Sequence, residues 1–505
     1  FFIKFILKKL KPSQSQKHKR LPPSPPKLPI LGHLHHLLQT DMPHHTLSHL
    51  ATQLGPIIYL QLGGIPTLVI SSAQLARQVL KTHDHAFASR PQLIAAQFLS
   101  FGCSDITFSR YGPYWRQTRK ICVTHLLSTK RVNSFQLIRD EEVNRLLRSI
   151  SSESETDMSE RLLALSNNVL CRVAFGRRFL GENHRLPEIL TETQALLAGF
   201  SLGDFFPGME WLWLNKWCGL RRRLENNLRD LRRVCDEIIG EHEMKKMGKE
   251  GDEASSGEEE DFVDVLLRVQ GGGDLEVPIT DDNLKALVLD MFVAGTDTTA
   301  ATLEWTMTEL ARHPEVMEKA QLEVRKVARS DGTVQEHHLH QLHYLKAVIK
   351  ETLRLHHPVP LLVPRESIEK CTLDDDGIYE IPAKTRVLIN AYAIGRDPQY
   401  WDNPLDYNPE RFITDTNIDV KDQDFRLLPF GGGRRGCPGY SFALATIEIA
   451  LARLLYHFDW ALPLGVTADD VDLTEIFGLA TRKKVALVLL PISNKDYEFK
   501  GNYGC

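Results

Sequence analysis

Phe430-Gly-Gly-Gly-Arg-Arg-Gly-Cys437-Pro438-Gly439 sets one cysteine between a run of glycines and a Pro-Gly, just ahead of a helix-like stretch from Tyr440 to Tyr456. Glycines let a backbone turn tightly and approach a ligand closely. A thiolate at a helix start is stabilised by amide N–H groups and the positive end of the dipole. The segment therefore reads as a loop presenting Cys437 as an anionic sulfur ligand, with Arg434 and Arg435 beside it. A cysteine thiolate is one of the ways a protein holds haem iron. Most lone cysteines are small buried hydrophobes, so the loop alone leaves a structural role open. A phosphate-binding loop is not indicated, because G-x-x-x-x-G-K-[ST] is absent.

Upstream, the spacing predicts one long helix that begins at Thr280 or Asp281, a good N-cap, and stops near His313-Pro314. Its middle is Ala294-Gly295-Thr296-Asp297-Thr298-Thr299. Glycine and threonines are poor residues for a helix centre, and threonine hydroxyls bond back to carbonyls and can open the ladder to water. A weakened centre with an acid and hydroxyls is what proton delivery requires. Further on, Lys350-Glu351-Thr352-Leu353-Arg354 puts Glu351 and Arg354 on one helix face, with Pro409-Glu410-Arg411-Phe412 downstream. Alone, such a pair reads as a solvated salt bridge of little worth. Trp115 and Arg119 stand four apart, also on one face.

Composition bounds the rest. The chain has 505 residues, 42% hydrophobic and 25% charged, an ordinary globular balance. A net charge of −4 gives no support to nucleic-acid binding. The cysteines are scattered without C-x-x-C, so neither a disulfide framework nor a zinc site is indicated. Histidines crowd two regions (His33, His35, His36, His44, His45 and His49; then His337, His338, His340 and His343) without a tight metal pattern, and read as solvated surface or loop residues. Phe1 to Leu7 is apolar but far shorter than the roughly 20 residues that span a bilayer. A basic run and the proline-rich Leu21-Pro-Pro-Ser-Pro-Pro-Lys-Leu-Pro29 follow. We read residues 1–10 as the residual end of an N-terminal membrane anchor and 11–29 as a basic, proline-rich hinge. The body, 30–505, is one large domain. Helices are expected over Glu142–Ile150, Arg221–Lys246 and Leu342–Leu355, and strands over Ile57–Leu62, Thr67–Ile70, Arg386–Asn390 and Val485–Leu490. Gly251 to Asp261 reads as a polar acidic loop, and the aromatic-rich Phe200 to Trp217 as a lid or membrane-touching segment.

These strings carry a family resemblance. Phe430, Gly433, Arg435, Cys437 and Gly439 fit the F-x-x-G-x-R-x-C-x-G signature of the cytochrome P-450 superfamily. Ala294 to Thr299 fits its [AG]-G-x-[DE]-T-[TS] oxygen-activation string, and E-x-x-R, P-E-R-F and W-x-x-x-R stand in the right order. Over residues 28 to 495 the chain resembles plant microsomal A-type members of specialised metabolism.

The resemblance implies a mainly α fold with small β-sheets and a long central helix crossing the haem. It implies haem b with Cys437 as axial ligand, and Ala294, Phe430, Gly433 and Gly439 close against the cofactor. Trp115, Arg119, Arg365 and Arg435 would face its propionates. Glu351, Arg354 and Arg411 would form a buried structural network. Asp297 would feed protons, and Thr298 would hold the oxygen being reduced. The reaction implied is monooxygenation, most simply hydroxylation, of a moderately large apolar terpenoid, phenolic or alkaloid. The family's substrate-contact regions fall on Ile106 and Phe108, on Phe292, Val293 and Ala294, on Leu361, Leu362 and Val363, and on Phe477 to Leu479. Electrons would come from NADPH through NADPH–cytochrome P-450 reductase, docking by Arg116, Lys120 and Arg434, with cytochrome b5 a further candidate donor. The protein would sit on the cytosolic face of the endoplasmic reticulum membrane and bind no nucleic acid. Three other readings stay open: a same-fold oxidase that closes rings or rearranges skeletons, a reductase-independent peroxide-rearranging enzyme, and a non-catalytic haem-binding protein.

Overall fold

The computed structural model describes residues 20–38, 42–178, 186–198, 201–209, 219–249, 260–272, 275–373, 377–420, 424–497 and 499. The anchor segment 1–10, much of the 11–29 hinge, most of the acidic loop and both ends of the 200–217 segment lie outside them. From Arg20 onward the hinge packs on the body: Arg20 N–H donates to Ile378 O and Tyr59 N–H to Pro23 O. Among the described residues no helix is long and apolar enough to cross a membrane.

The molecule is mostly helical with small sheets. Its axis is the helix Asp281–Arg312, 32 residues long, or about 48 Å at 1.5 Å per residue. The sequence explains both ends. Thr280 Oγ1 accepts from Asn283 N–H, and the Asn283 side chain returns a bond to Thr280 N–H, a reciprocal capping box. At the other end His313 precedes Pro314, which opens the next helix, Pro314–Val327. The threonine hydroxyls do bond back: Thr296 to Phe292 O, Thr298 to Ala294 O, Thr302 to Thr298 O and Thr306 to Thr302 O, at 2.6 to 3.0 Å. The helix nevertheless runs unbroken, contrary to the expected opening of its ladder. Packing holds it. The helix Met158–Phe175 lies alongside, its Ser166 Oγ donates to Thr296 O, and a Cβ on Gly295 would meet Leu170 at 3.0 Å. Gly295 is thus a close-approach position rather than a weak point.

The sheets are small and hold loops in place. Ile57–Leu62 and Ile65–Ile70 form a hairpin, the second strand runs parallel to Arg386–Ile389, and Arg365–Glu366 closes that sheet antiparallel. A two-stranded hairpin, Glu475–Ile476 with Arg482–Lys483, presents residues 477–481 at its tip. The expected strand at Val485–Leu490 is instead Val488–Ser493, paired with Phe458–Ala461. Val485 O accepts from Lys483 Nζ and so belongs to the preceding turn. The expected helices are observed as Gln136–Ser151, Leu220–Lys249 and His343–Leu355. Phe205, in the expected lid, is instead core, packed with Leu62, Leu361 and Leu388.

Candidate active site

The cysteine loop is shaped by backbone that favours glycine. Gly431 and Gly433 both lie at φ 66°. A Cβ on Gly433 would stand 2.1 Å from Leu80 O and 2.7 Å from Asp84 Oδ1. Cys437 N–H donates back to Phe430 O at 2.9 Å, closing the loop, and the helix Tyr440–His457 follows. Burial pushes the Cys437 thiol up, while the Gly439 N–H and the Arg119 guanidinium act against that. A coordinated metal reverses this balance and deprotonates the thiol outright. Among the described free cysteines Cys437 alone is exposed, and its surface opens inward, onto an internal chamber of ≈ 270 Å³.

Opposite lies the long helix. Its chamber face repeats with helical spacing: Leu289 and Asp290, Val293 and Ala294, Asp297 and Thr298. Ala294 is exposed although Val293 and Met291 beside it are buried, because its methyl faces the chamber. Phe430, Gly439 and Arg435 line the floor with Cys437; Gly433 does not, being turned against Leu80 and Asp84.

One wall is cationic. Trp115, Arg119, Arg365 and Arg435 all line the chamber, joined by Arg90, which the sequence reading missed. Arg435 donates to three carbonyls, Ala88 O, Ile106 O and Ser109 O, at 2.6 to 3.0 Å. Arg119 Nη2 donates to Gly436 O at 2.6 Å, and Trp115 Nε1 to Ile106 O at 3.0 Å. Arg365 reaches Asp84 at 3.2 Å and Gly432 O at 2.7 Å. Burial, then the repulsion of Arg365, holds the Arg435 guanidinium down to about 9. Burial also lowers Arg90, Arg119 and Arg365. Two chamber carboxyls, Asp105 and Asp290, are pushed towards their neutral forms, chiefly by burial. The wall thus carries surplus positive charge. A sulfur donor, an apolar chamber and surplus guanidiniums fit a flat apolar metal complex bearing carboxylates.

Asp297 is 5% exposed, and burial raises its carboxyl from 3.8 to about 6. Among the described residues its one ion-pair partner is Arg482 on the small hairpin, 3.5 Å away. Thr298 Oγ1 donates to Ala294 O, leaving its lone pairs free towards the chamber.

The E-x-x-R pair is wholly buried: Glu351 is 0% and Arg354 1% exposed. Arg354 forks onto both Glu351 oxygens at 2.7 and 2.8 Å, and Arg411 Nε donates to Glu351 Oε1 at 3.0 Å. His357 adds a tie: its Nδ1 accepts from Val359 N–H, so Nε2 donates to Leu428 O ahead of the loop, at 2.8 Å.

Of the expected substrate residues, Ile106, Phe108, Val293, Leu362, Val363 and Leu479 line the chamber. Leu361 and Phe477 line a smaller adjoining pocket of ≈ 60 Å³. Phe292 is a correction. It is buried on the opposite face of the helix, stacked on Phe175 at 5.4 Å, because one residue turns a helix by 100°. The histidine reading also needs correcting: His33, His44 and His338 are buried hydrogen-bonding residues, His33 accepting from Gln61 N–H and His44 bonded to Glu475. Arg116, Lys120 and Arg434 are exposed, although Arg434 also pairs with Asp84. Asp84, which accepts from Arg365, Arg434 and the Arg434 N–H, had no sequence signal.

Comparison with known proteins agrees with this geometry. Residues 22–490 match the cytochrome P-450 family. Tryptamine 5-hydroxylase of Oryza sativa subsp. japonica is 57% identical, over 97% of this chain and 93% of that protein. Premnaspirodiene oxygenase of Hyoscyamus muticus is 45% identical over 96% and 95%, and strychnine-11-hydroxylase of Strychnos nux-vomica 44% over 97% and 95%. A zebra fish cytochrome P-450 solved with abiraterone superposes with a TM-score of 0.74 at 27% identity, covering 90% of this chain and 100% of that one.

Proposed function

This chain belongs to the cytochrome P-450 family and is a monooxygenase, and we propose that Cys437 is its haem thiolate and that it hydroxylates a moderately large, mostly apolar plant metabolite. The observation that carries the reading is the Cys437 sulfur, open to an enclosed chamber opposite Ala294 and walled by guanidiniums. A haem bound there supplies oxygen activation by a thiolate-ligated iron. The reaction balances as substrate C–H, O2, NADPH and a proton giving C–OH, water and NADP⁺.

The chain's own residues do the rest. Trp115, Arg119, Arg365 and Arg435 would hold the propionates of a bound haem, and Arg90 would add to their field. Asp297, raised by burial to about 6, can take up and release a proton close to physiological pH. Thr298 offers a hydroxyl one residue on, where that proton is needed. Apolar walls exclude bulk water, which strengthens each electrostatic contact inside. Glu351, Arg354 and Arg411 support the loop from behind. The relatives named for tryptamine, strychnine and premnaspirodiene support a plant specialised metabolite as substrate. We further propose that the electrons come from NADPH through a flavoprotein reductase that meets Arg116, Lys120 and Arg434, with cytochrome b5 as an accessory donor, on the cytosolic face of the endoplasmic reticulum.

The test is a carbon monoxide difference spectrum of the reduced protein. The wild type should show the red-shifted thiolate band, and Cys437→Ser should lose both that band and all NADPH-dependent turnover. A thiolate band that survives the substitution removes Cys437 from the site.

A further inference from the structure

The ion pair of Asp297 with Arg482 joins the long helix to the small hairpin 475–483, and it straddles the chamber wall. Asp297 lines the chamber, with its side chain 8% exposed. Arg482 lines neither the chamber nor the pocket beside it, yet its side chain is 30% exposed. Its free surface therefore lies outside the chamber.

Neither head group is fastened. The pair stands at 3.5 Å, long for a hydrogen bond. Among the described residues the Asp297 carboxyl accepts no hydrogen bond, and the Arg482 guanidinium donates none. The backbone beneath Arg482 is fixed by contrast: Thr481 N–H donates to Pro358 O at 2.7 Å, and Arg482 pairs with Ile476 across the hairpin. A rigid strand thus carries a loose cation to the outer side of a loose, buried acid. Other charges nearby are Glu304, two turns further along the helix, with Lys483 and Asp157 beside it. Glu304 is tethered, because it accepts from Ser159 Oγ.

An acid that gives up a proton in each turnover must be recharged from water. On the chamber side a seated substrate excludes water, and the hydroxyls of Thr298 and Thr302 donate to helix carbonyls. The Arg482 side is where solvent comes near. Arginine stays protonated and relays nothing itself. What it supplies is charge, which attracts the carboxylate and ceases to hold it once a proton has neutralised it.

We propose that Arg482 is a positioning residue that gates the proton supply. It holds ionised Asp297 at the outer side of the wall and frees the neutral acid to turn towards Thr298, so that protons enter by the hairpin 475–483 and not through the substrate chamber. In each cycle a proton passes from water to the Asp297 carboxylate and from there towards Thr298, and the carboxylate left behind pairs with Arg482 again. The inference rests on Asp297 being a proton donor of the monooxygenase reaction.

The test compares wild type, Arg482→Met, Arg482→Lys, Asp297→Asn and the double variant Arg482→Met with Asp297→Asn, each as holoenzyme with an unchanged carbon monoxide band. NADPH consumption is followed against pH, in H2O and D2O, with excess flavoprotein reductase and tryptamine as the probe. Asp297→Asn should slow it severalfold. Arg482→Met should also slow it and enlarge the solvent isotope effect. Burial raises the Asp297 carboxyl to about 6 and Arg482 acts against that rise. Removing the cation lets the carboxyl climb further, so the fall in rate on the alkaline side should move up by about one pH unit. Arg482→Lys should restore both rate and profile, and Arg482→Met should add nothing to Asp297→Asn. A lower rate without the shift in pH profile, or an equal slowing in the Asp297→Asn background, overturns the proposal. Wild-type behaviour of Arg482→Met beside a slow Asp297→Asn also overturns it, and leaves the role of Asp297 standing. A fast Asp297→Asn removes the proton-donor reading and this inference with it. Melting supplies a readout without turnover. Arg482→Met should melt lower than wild type at pH 8, where Asp297 is ionised, and level with it at pH 4.5, and the gap at pH 8 should shrink in the Asp297→Asn background. A gap that ignores pH or Asp297 shows that Arg482 does not hold the carboxylate.

Discussion

Two arginine sets of this fold, one around Glu351 and one around the chamber, differ in what they hold. Around Glu351 the set is closed: the five N–H donors of Arg354 reach both Glu351 oxygens and the carbonyls of Gly395, Pro404 and Asp406. Arg411 adds Glu351 and the Asp402 carbonyl. Around the chamber the set is open. Arg435 donates to carbonyls and no carboxylate, Arg119 to a single carbonyl, and Asp84 is shared between Arg365 and Arg434. A closed set needs nothing from outside and serves as structure. An open one carries charge that an anionic ligand balances; burial, and then the neighbouring Arg365, depresses Arg435 there.

The sharpest way to break that contrast is to open the closed set. Glu351→Ala strands two buried guanidiniums and should cost about 3–5 kcal/mol, read as a lower urea midpoint of the holoenzyme. An unchanged midpoint would deny the network its supporting role.

Asp297 stands between the two cases, a buried acid with one cation at 3.5 Å. Burial raises its carboxyl to about 6, so its contribution to stability is fully present below pH ~4 and is lost as pH rises through 6. Asp297→Asn should therefore be more stable than wild type at pH 7 by roughly 2–3 kcal/mol, and equal to it near pH 4. Melting curves at the two pH values check this; a gain independent of pH would contradict it.

The open set should respond in the opposite sense to the closed one. Arg435→Met should weaken haem retention by about 2 kcal/mol, measured by haem transfer to excess apomyoglobin, and so destabilise the holoenzyme by more than the haem-free protein, which loses only the three carbonyl bonds. If the haem-free protein is destabilised as much as the holoenzyme, Arg435 belongs with the structural set.

The smallest effect on stability is expected at Thr298, whose hydroxyl bonds only back to Ala294 O. Thr298→Ala should change stability by under ~1 kcal/mol while lowering product formed per NADPH severalfold. Intact coupling would remove Thr298 from oxygen activation.

The open and closed sets were unequally legible in the sequence. Glu351 and Arg354 are three apart, and helical spacing alone puts them on one face. Whether that face is solvated or buried was decided by the segment around Arg411, which folds over it from 57 residues downstream of Arg354. On the chamber side, Arg119 and Arg435 sit in motifs. Arg90 and Asp84 sit in none, and reach the site only because the 84–90 segment packs against the cysteine loop and the strand Arg365–Glu366. Phe292 shows the same limit. Its string was identified, but its side of the helix follows from the stacking on Phe175.

The sequence by itself determined the local geometry: glycines where φ is 66°, a cap at Thr280, a stop before Pro314, and a cysteine presented between turns. These are short-range effects, set by sterics and by bonds within a few residues. Tertiary structure alone decided which side of the long helix faces the chamber and that Arg482 stands beside Asp297. Those depend on segments far apart in the chain meeting in low-dielectric surroundings, where burial sets the charge on an acid.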